Sequence, residues 1–133
     1  MKAPEIDLYS FFNSSTTYRV RIALGLKNLE WRHIGVNLRK GEQHAEAYRG
    51  VNPAGLVPVL NHDDRTLTQS LAIIDYLDWL QPEPLLIPQE RGLRTEVLEI
   101  SLCVACEMHP LNNMRVQRYL RDELRLTDDQ CQT

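Results

Sequence analysis

Residues 6–36 read IDLYSFFNSSTTYRVRIALGLKNLEWRHIGV, and the fold class follows from them. Ile6 to Phe11 is a short apolar run, the pattern of a buried strand. Asn13, Ser14, Ser15, Thr16 and Thr17 come next. A hydroxyl cluster of this kind opens a helix, because its oxygens accept the N–H groups that the first turn leaves without partners. Val20, Ala23, Leu24 and Lys27 then recur at helical spacing, and Trp31 to Val36 reads as a second strand. Strand, helix and strand in succession predict a parallel crossover, right-handed by default.

Downstream, Glu42 to Tyr48 predicts one or two helical turns, and residues 51–55 (VNPAG) form a turn cluster. Leu56 to Leu60 (LVPVL) is expected as a third strand. Pro58 cannot donate to a ladder, so either this strand lies at an edge or the proline bond is special. Asn61 to Asp64 predicts a hairpin turn and Arg65 to Thr68 a fourth strand. Ser70 opens SLAIIDYLDWL, whose Ile73, Leu77 and Leu80 share one helical face. Three prolines between Gln81 and Pro88 mark a linker. Beyond it Leu93, Val97, Ile100, Val104, Met108 and Leu111 recur at steps of three or four, the signature of a long amphipathic helix. Pro110 removes a donor and predicts a kink or break, after which Val116, Leu120 and Leu124 continue the pattern. The expectation is an α/β domain over residues 1–81 with order βαβ-ββα, a linker over 82–90, and a partial helical domain over 91–133.

The chain has 133 residues and a net charge of −3. Without a basic excess, nucleic-acid binding is a poor reading. No apolar run reaches the ~18 residues that span a bilayer, and Glu5 and Asp7 interrupt any leader-like core. Three cysteines make no disulfide framework, so a reducing cytoplasm is expected.

SSTTYRVRIAL (14–24), NPAGLVPVL (52–60) and QSLAIIDYL (69–77), in this order, resemble a glutathione transferase of the zeta class, the maleylacetoacetate isomerases. CEMHPLNNMRVQRYLR (106–121) resembles the bacterial maleylpyruvate isomerase branch more closely still. The resemblance covers residues 6 to 126. It implies a thioredoxin-like domain followed by an all-helical glutathione transferase C-terminal domain, assembled as a homodimer. The family's chains run on through several more helices, so a C-terminally truncated second domain is expected.

Ser14, Ser15 and Thr16 sit where a strand feeds a helix. Hydroxyls and N–H groups there form a positive pocket that lowers the pKa of a thiol. Read alone, they are an ordinary helix cap. The resemblance implies that they activate the sulfur of glutathione, with Thr16 standing where a cysteine is frequent in the family. Val57-Pro58 resembles the cis-proline corner of thioredoxin-like folds, whose backbone pairs with the cysteinyl part of glutathione. The resemblance implies that Gln69 and Ser70, with Ser70 as N-cap, hold the γ-glutamyl carboxylate; read alone, Ser70 is just a cap. Gln43 matches a position at the glycine end, although a surface residue fits it almost as well. Asn37 and Asn52 read as turn or strand-end residues. His109, Asn113 and Arg115 flank the Pro110 kink. The resemblance implies that His109 and Asn113 face glutathione and that His109 and Arg115 meet substrate carboxylates, for which a guanidinium fork is suited. Without it, these are a helix cap and a solvated face.

Cys103 and Cys106 form a CxxC in mid-helix and have no second ligand pair, so they are expected as core residues rather than a zinc or redox centre. Arg19 and Arg21 are expected to pair with acidic neighbours. The implied reaction is glutathione-dependent cis–trans isomerisation of maleylpyruvate or maleylacetoacetate in aromatic compound catabolism, with glutathione as cofactor, a small diacid as substrate and no metal. Two other readings stand beside it: a glutathione-binding, transferase-like protein without turnover, and a redox protein using Cys103 and Cys106.

Overall fold

The computed structural model describes residues 6–131. Four strands form one sheet in the order β2-β1-β3-β4: β1 (Ile6–Ser10), β2 (Arg32–Gly35), β3 (Val59–His62) and β4 (Arg65–Thr68). β1 runs parallel to β2, with Leu8 opposite His33. It runs antiparallel to β3, with Leu8 opposite Leu60, and β3 pairs antiparallel with β4. Helix α1 (Ser15–Leu26) provides the β1–β2 crossover. A 3₁₀ turn (Glu42–His44) and helix α2 (Glu46–Val51) follow β2, and helix α3 (Ser70–Leu80) follows β4. This is the expected thioredoxin-like order.

The alternation of side chains along each strand builds two cores. Ile6, Leu8 and Leu60 pack with Val20, Ala23 and Leu24 of α1 and Ile73 and Leu77 of α3. A second cluster joins Phe11, Val36, Val57 and Val59 to Tyr48 of α2. The helices thus divide between the two cores, α1 and α3 in the first and α2 in the second.

The third strand differs from its expected form. Pro58 is not within it: the ladder begins at Val59, and β3 is interior, between β1 and β4. Pro58 comes just before the ladder, where its missing donor costs no sheet hydrogen bond. The Val57–Pro58 bond is cis, as is Glu83–Pro84.

Lys27, the last member of the α1 spacing, is a buried cation. Its Nζ lies 2.6 Å from Asp78 Oδ1 and donates to the carbonyls of Gln81 and Pro84 at 2.7 and 2.8 Å. Asp78 also accepts from the N–H groups of Leu86 and Ile87. The proline-rich segment is therefore held down as far as Ile87, which is itself buried.

The chain divides into two compact units, one ending at Ile87 and one starting at Pro88. The second unit contains α4 (Arg91–Leu102), a π-helical turn (Cys103–Met108), α5 (His109–Leu111), α6 (Met114–Asp122) and α7 (Asp128–Cys131). Glu90 caps α4, and the N–H groups of Leu93 and Gly92 hold its carboxyl below the usual range. The expected break at Pro110 takes the form of a widened turn. A helical proline lacks an N–H and crowds the carbonyl four residues back, and here His109 N–H bonds to Val104 O, five residues back. Cys103 and Cys106, expected in a core, are free and exposed. The apolar stripe carrying them meets no second layer among the described residues of this unit, as Ile100 at 68% and Leu111 at 71% exposure show.

Burial alone would raise the Asp78 pKa. The Lys27 hydrogen bond, the N–H groups of Leu86 and Ile87 and the Lys27 charge together hold it below the ordinary value. The pair's contribution is therefore complete above the aspartate range of about 4 and is lost as the pH falls through the lowered native value. Lys27→Met strands a buried carboxylate and is expected to cost about 3 kcal/mol near neutral pH. Urea denaturation at pH 7 and at successively lower pH checks this: the gap between wild type and variant should narrow in acid and close only below pH ~4, as the lowered wild-type value is passed.

Candidate functional site

The site is built where β1 feeds α1. Ser14 is the N-cap of α1, with its backbone extended and its Oγ accepting from Thr17 N–H at 3.3 Å. Thr17 Oγ1 also donates to Ser14 Oγ at 3.0 Å. Ser14 Oγ and Thr16 Oγ1 are 2.8 Å apart. Thr16 Oγ1 donates to the carbonyl of Val57 at 3.0 Å, across 41 residues of sequence. The helix start is therefore tied to the backbone just before cis Pro58. Ser15, the first residue of α1, is exposed, whereas Ser14 and Thr16 are half-buried.

The segment that carries Val57 is held from below. The Tyr48 hydroxyl and Asn52 Nδ2 both donate to Leu56 O, at 2.7 and 2.8 Å. Asn52 Oδ1 accepts from Ala54 N–H. Burial pushes the Tyr48 phenol up to about 12; Asn52 works against the rise and Tyr9 adds to it, so the phenol stays a donor. Sequence reading gave Asn52 a turn role, which it fills, and overlooked Tyr48; no sequence signal distinguishes Tyr48 from an ordinary core tyrosine. Asn37 is likewise a turn residue, accepting from the N–H groups of Arg39 and Lys40.

Gln43 lies against this segment. Gly55 has φ +62, and a Cβ there would stand 3.0 Å from Gln43 O. Gln43 is buried at 8% exposure; its Nε2 meets His44 Nε2 at 3.1 Å, while its Oε1 has no partner among the described residues. A buried acceptor left open is costly and fits a ligand donor.

At the start of α3, Ser70 is not the N-cap. Gln69 holds that place at φ +70, ψ 114, without a side-chain cap, and Ser70 is the first helical residue. A positive φ is strained for glutamine, and strain of this kind concentrates at functional sites. Ser70 Oγ accepts from Arg19 Nη1 at 3.2 Å. Arg21 donates to Phe12 O at 3.0 Å and stacks on Tyr18. The contacts seen for these two arginines are to a hydroxyl, a carbonyl and a ring rather than to carboxylates.

Ser14, Thr16 and Val57 are thus brought into one bonded cluster, Gln43 lies beside Gly55, and Arg19 meets Ser70. His109, Asn113 and Arg115 belong to the second unit. His109 is half-buried at the end of the π-helical turn. Asn113 is the N-cap of α6, its Oδ1 accepting from Arg115 N–H at 2.9 Å, and the Arg115 side chain is exposed.

Residues 8–85 match the family model for the glutathione S-transferase N-terminal domain. The chain belongs to the glutathione S-transferase family. It is 42% identical to a probable maleylacetoacetate isomerase of Vibrio cholerae, over 92% of this chain and 58% of that protein. It superimposes on a holo maleylpyruvate isomerase, a bacterial zeta-class enzyme, with a TM-score of 0.90 at 37% identity, covering 94% of this chain and 59% of that one. A maleylacetoacetate isomerase of Methylobacterium extorquens with bound malonate and glutathione gives a TM-score of 0.85 at 35% identity, with the same coverage. The chain spans a little over half the length of these relatives. Its residues fit glutathione chemically: hydroxyls at a helix start suit a thiolate, and the open Gln43 Oε1 suits an amide donor.

Gly55→Ala combines an unfavourable left-handed φ with the Gln43 carbonyl contact and is expected to destabilise the chain by about 1–2 kcal/mol. Urea denaturation of the variant beside wild type checks this.

Proposed function

We propose that this chain carries the glutathione site of a glutathione-dependent cis–trans isomerase acting on maleylpyruvate or maleylacetoacetate. The observation that carries the reading is the cluster of Ser14 and Thr16 bonded to Val57 O beside cis Pro58, in a chain that follows a holo maleylpyruvate isomerase at a TM-score of 0.90. When bound, glutathione supplies a thiolate whose reversible addition to the conjugated double bond leaves a single bond free to rotate.

The chain's own residues bind, orient and stabilise charge. Ser14 and Ser15 offer hydroxyls at the positive end of α1, where a thiolate is favoured over a thiol. Thr16 fixes the loop through Val57. The Val57 backbone pairs with the cysteinyl part of the tripeptide, followed by Pro58, whose ring forms the corner. Gln69 and Ser70 receive the γ-glutamyl carboxylate at the start of α3, and Gln43 the glycine end. From the second unit, His109 and Asn113 contact glutathione, and His109 and Arg115 bind substrate carboxylates, with Arg115 as the bidentate partner. The malonate and glutathione bound in the Methylobacterium relative support a diacid substrate. The exposed stripe of the second unit supports assembly as a homodimer, and the free thiols of Cys103, Cys106 and Cys131 suit a reducing cytoplasm. Among the described residues no helix is long and apolar enough to cross a membrane.

Turnover of maleylpyruvate, followed by ultraviolet absorbance with and without glutathione, tests the reading. Glutathione-dependent isomerisation is expected. A folded sample that binds glutathione and turns nothing over would make it a glutathione-binding domain only. Ser14→Ala is expected to lower turnover roughly 100-fold, the scale of losing one donor to developing charge. Arg115→Ala should raise KM for the diacid while leaving glutathione affinity near wild type, which separates the two binding roles.

A further inference from the structure

The hydroxyl cluster has a direction. Thr16 has one hydroxyl proton, and it lies on Val57 O. In the 2.8 Å contact between Ser14 and Thr16, Ser14 must therefore be the donor. Ser14 Oγ in turn accepts twice, from Thr17 N–H and from Thr17 Oγ1–H. Both of its lone pairs are occupied by Thr17, so its proton is the one group it can offer to anything else. The chain of donation runs Thr17 to Ser14 to Thr16 to Val57 O, and each bond polarises the next.

Thr17 is fully buried and touches neither open space nor the Val57 loop through any bond seen here. We propose that Thr17 is a positioning residue of the thiolate site: by donating to Ser14 Oγ, its hydroxyl aims and strengthens the Ser14 proton that a bound thiolate accepts. The inference rests on the glutathione reading above. When a thiol at the site ionises, its proton leaves to solvent, and the Ser14 proton swings from Thr16 Oγ1 to the sulfur. Thr17 holds Ser14 Oγ through this swing, because both of its bonds enter from the helix side. Without the Thr17 hydroxyl, Ser14 keeps its N–H cap bond, gains a free lone pair, can turn its proton elsewhere and donates more weakly.

The test is a pH titration of the ultraviolet thiolate absorbance of glutathione bound to the full chain. Thr17→Val removes the hydroxyl, keeps the cap N–H and keeps the volume. It is expected to raise the midpoint by roughly half a pH unit, with glutathione affinity at low pH little changed. Thr17→Ser returns the donor and is expected to restore the wild-type midpoint. An unchanged midpoint in folded Thr17→Val overturns the inference, and so does a change in affinity alone. If Thr17→Val does not fold, Thr17→Ala carries the same expectation. A Thr17→Ser midpoint displaced by half a unit also overturns the inference, whatever the other variants do. Wild type that binds no glutathione, or binds it with no thiolate signal, removes the glutathione reading itself, a different result from wild type and Thr17→Val titrating together.

Discussion

The buried pair of Lys27 and Asp78 is the constraint on which the first unit closes. Lys27 ends the inward face of α1, Asp78 sits on α3, and both are nearly sealed from solvent. A buried charge is tolerated only when its hydrogen-bonding capacity is filled. Lys27 has three donors and meets Asp78, Gln81 O and Pro84 O, while Asp78 adds the N–H groups of Leu86 and Ile87. One ion pair therefore sets the spacing of the two helices over the sheet and pins the chain leaving α3. Apolar packing by Ile73, Leu77, Val20 and Leu24 would bring α1 and α3 together without choosing their relative height. The ion pair chooses it, because hydrogen bonds are directional and apolar contact is not.

Fixing α1 at its C-terminal end fixes its start as well. A helix is stiff over 12 residues, so its first turn arrives at a set place above the end of β1. There Thr16, bonded to Ser14, meets Val57, delivered by a loop that Tyr48 and Asn52 hold through a shared carbonyl. The loop needs such support because it contributes backbone rather than side-chain groups to the site. Gly55 shows how closely it lies on Gln43, where a methyl group would press on the Gln43 carbonyl.

Much of this was legible in the sequence, and the exceptions share a cause. The hydroxyl cluster and the spacing of Val20, Ala23 and Leu24 are local signals, and they locate α1. The strand pairings follow from order and alternation. LVPVL misled because its apolar run extends past the ladder: the strand begins one residue after Pro58, which makes it interior rather than an edge. Ser70 looked like a cap because serine usually is one; the strained Gln69 before it carries no residue-type signal. Lys27 fell on the correct face with no indication that its partner lay 51 residues away on another helix. Cys103 and Cys106 sit on an apolar stripe and were expected in a core, yet a stripe is buried only where a second layer covers it. A pattern along the chain reports which face seeks burial and is silent on what meets it.

The residue at position 16 shows how the cluster divides its work. A cysteine there would be a weak donor to Val57 O and a second nucleophile beside the incoming thiol. Threonine donates strongly, and its β-branch restricts χ1, so the bond to Val57 is held with little rotamer freedom to lose. That bond consumes the Thr16 proton. Thr16 then acts toward Ser14 as an acceptor, and the half-buried Ser14 keeps a proton whose present acceptor is a neutral hydroxyl, while the Thr17 proton is held, fully buried, on Ser14 itself. An anion is a better acceptor than a hydroxyl, so under the proposed function an arriving thiolate would win that proton without breaking the bond that holds the loop. Charge stabilisation and loop anchoring thus fall to different hydroxyls two residues apart, and binding can use the first without loosening the second.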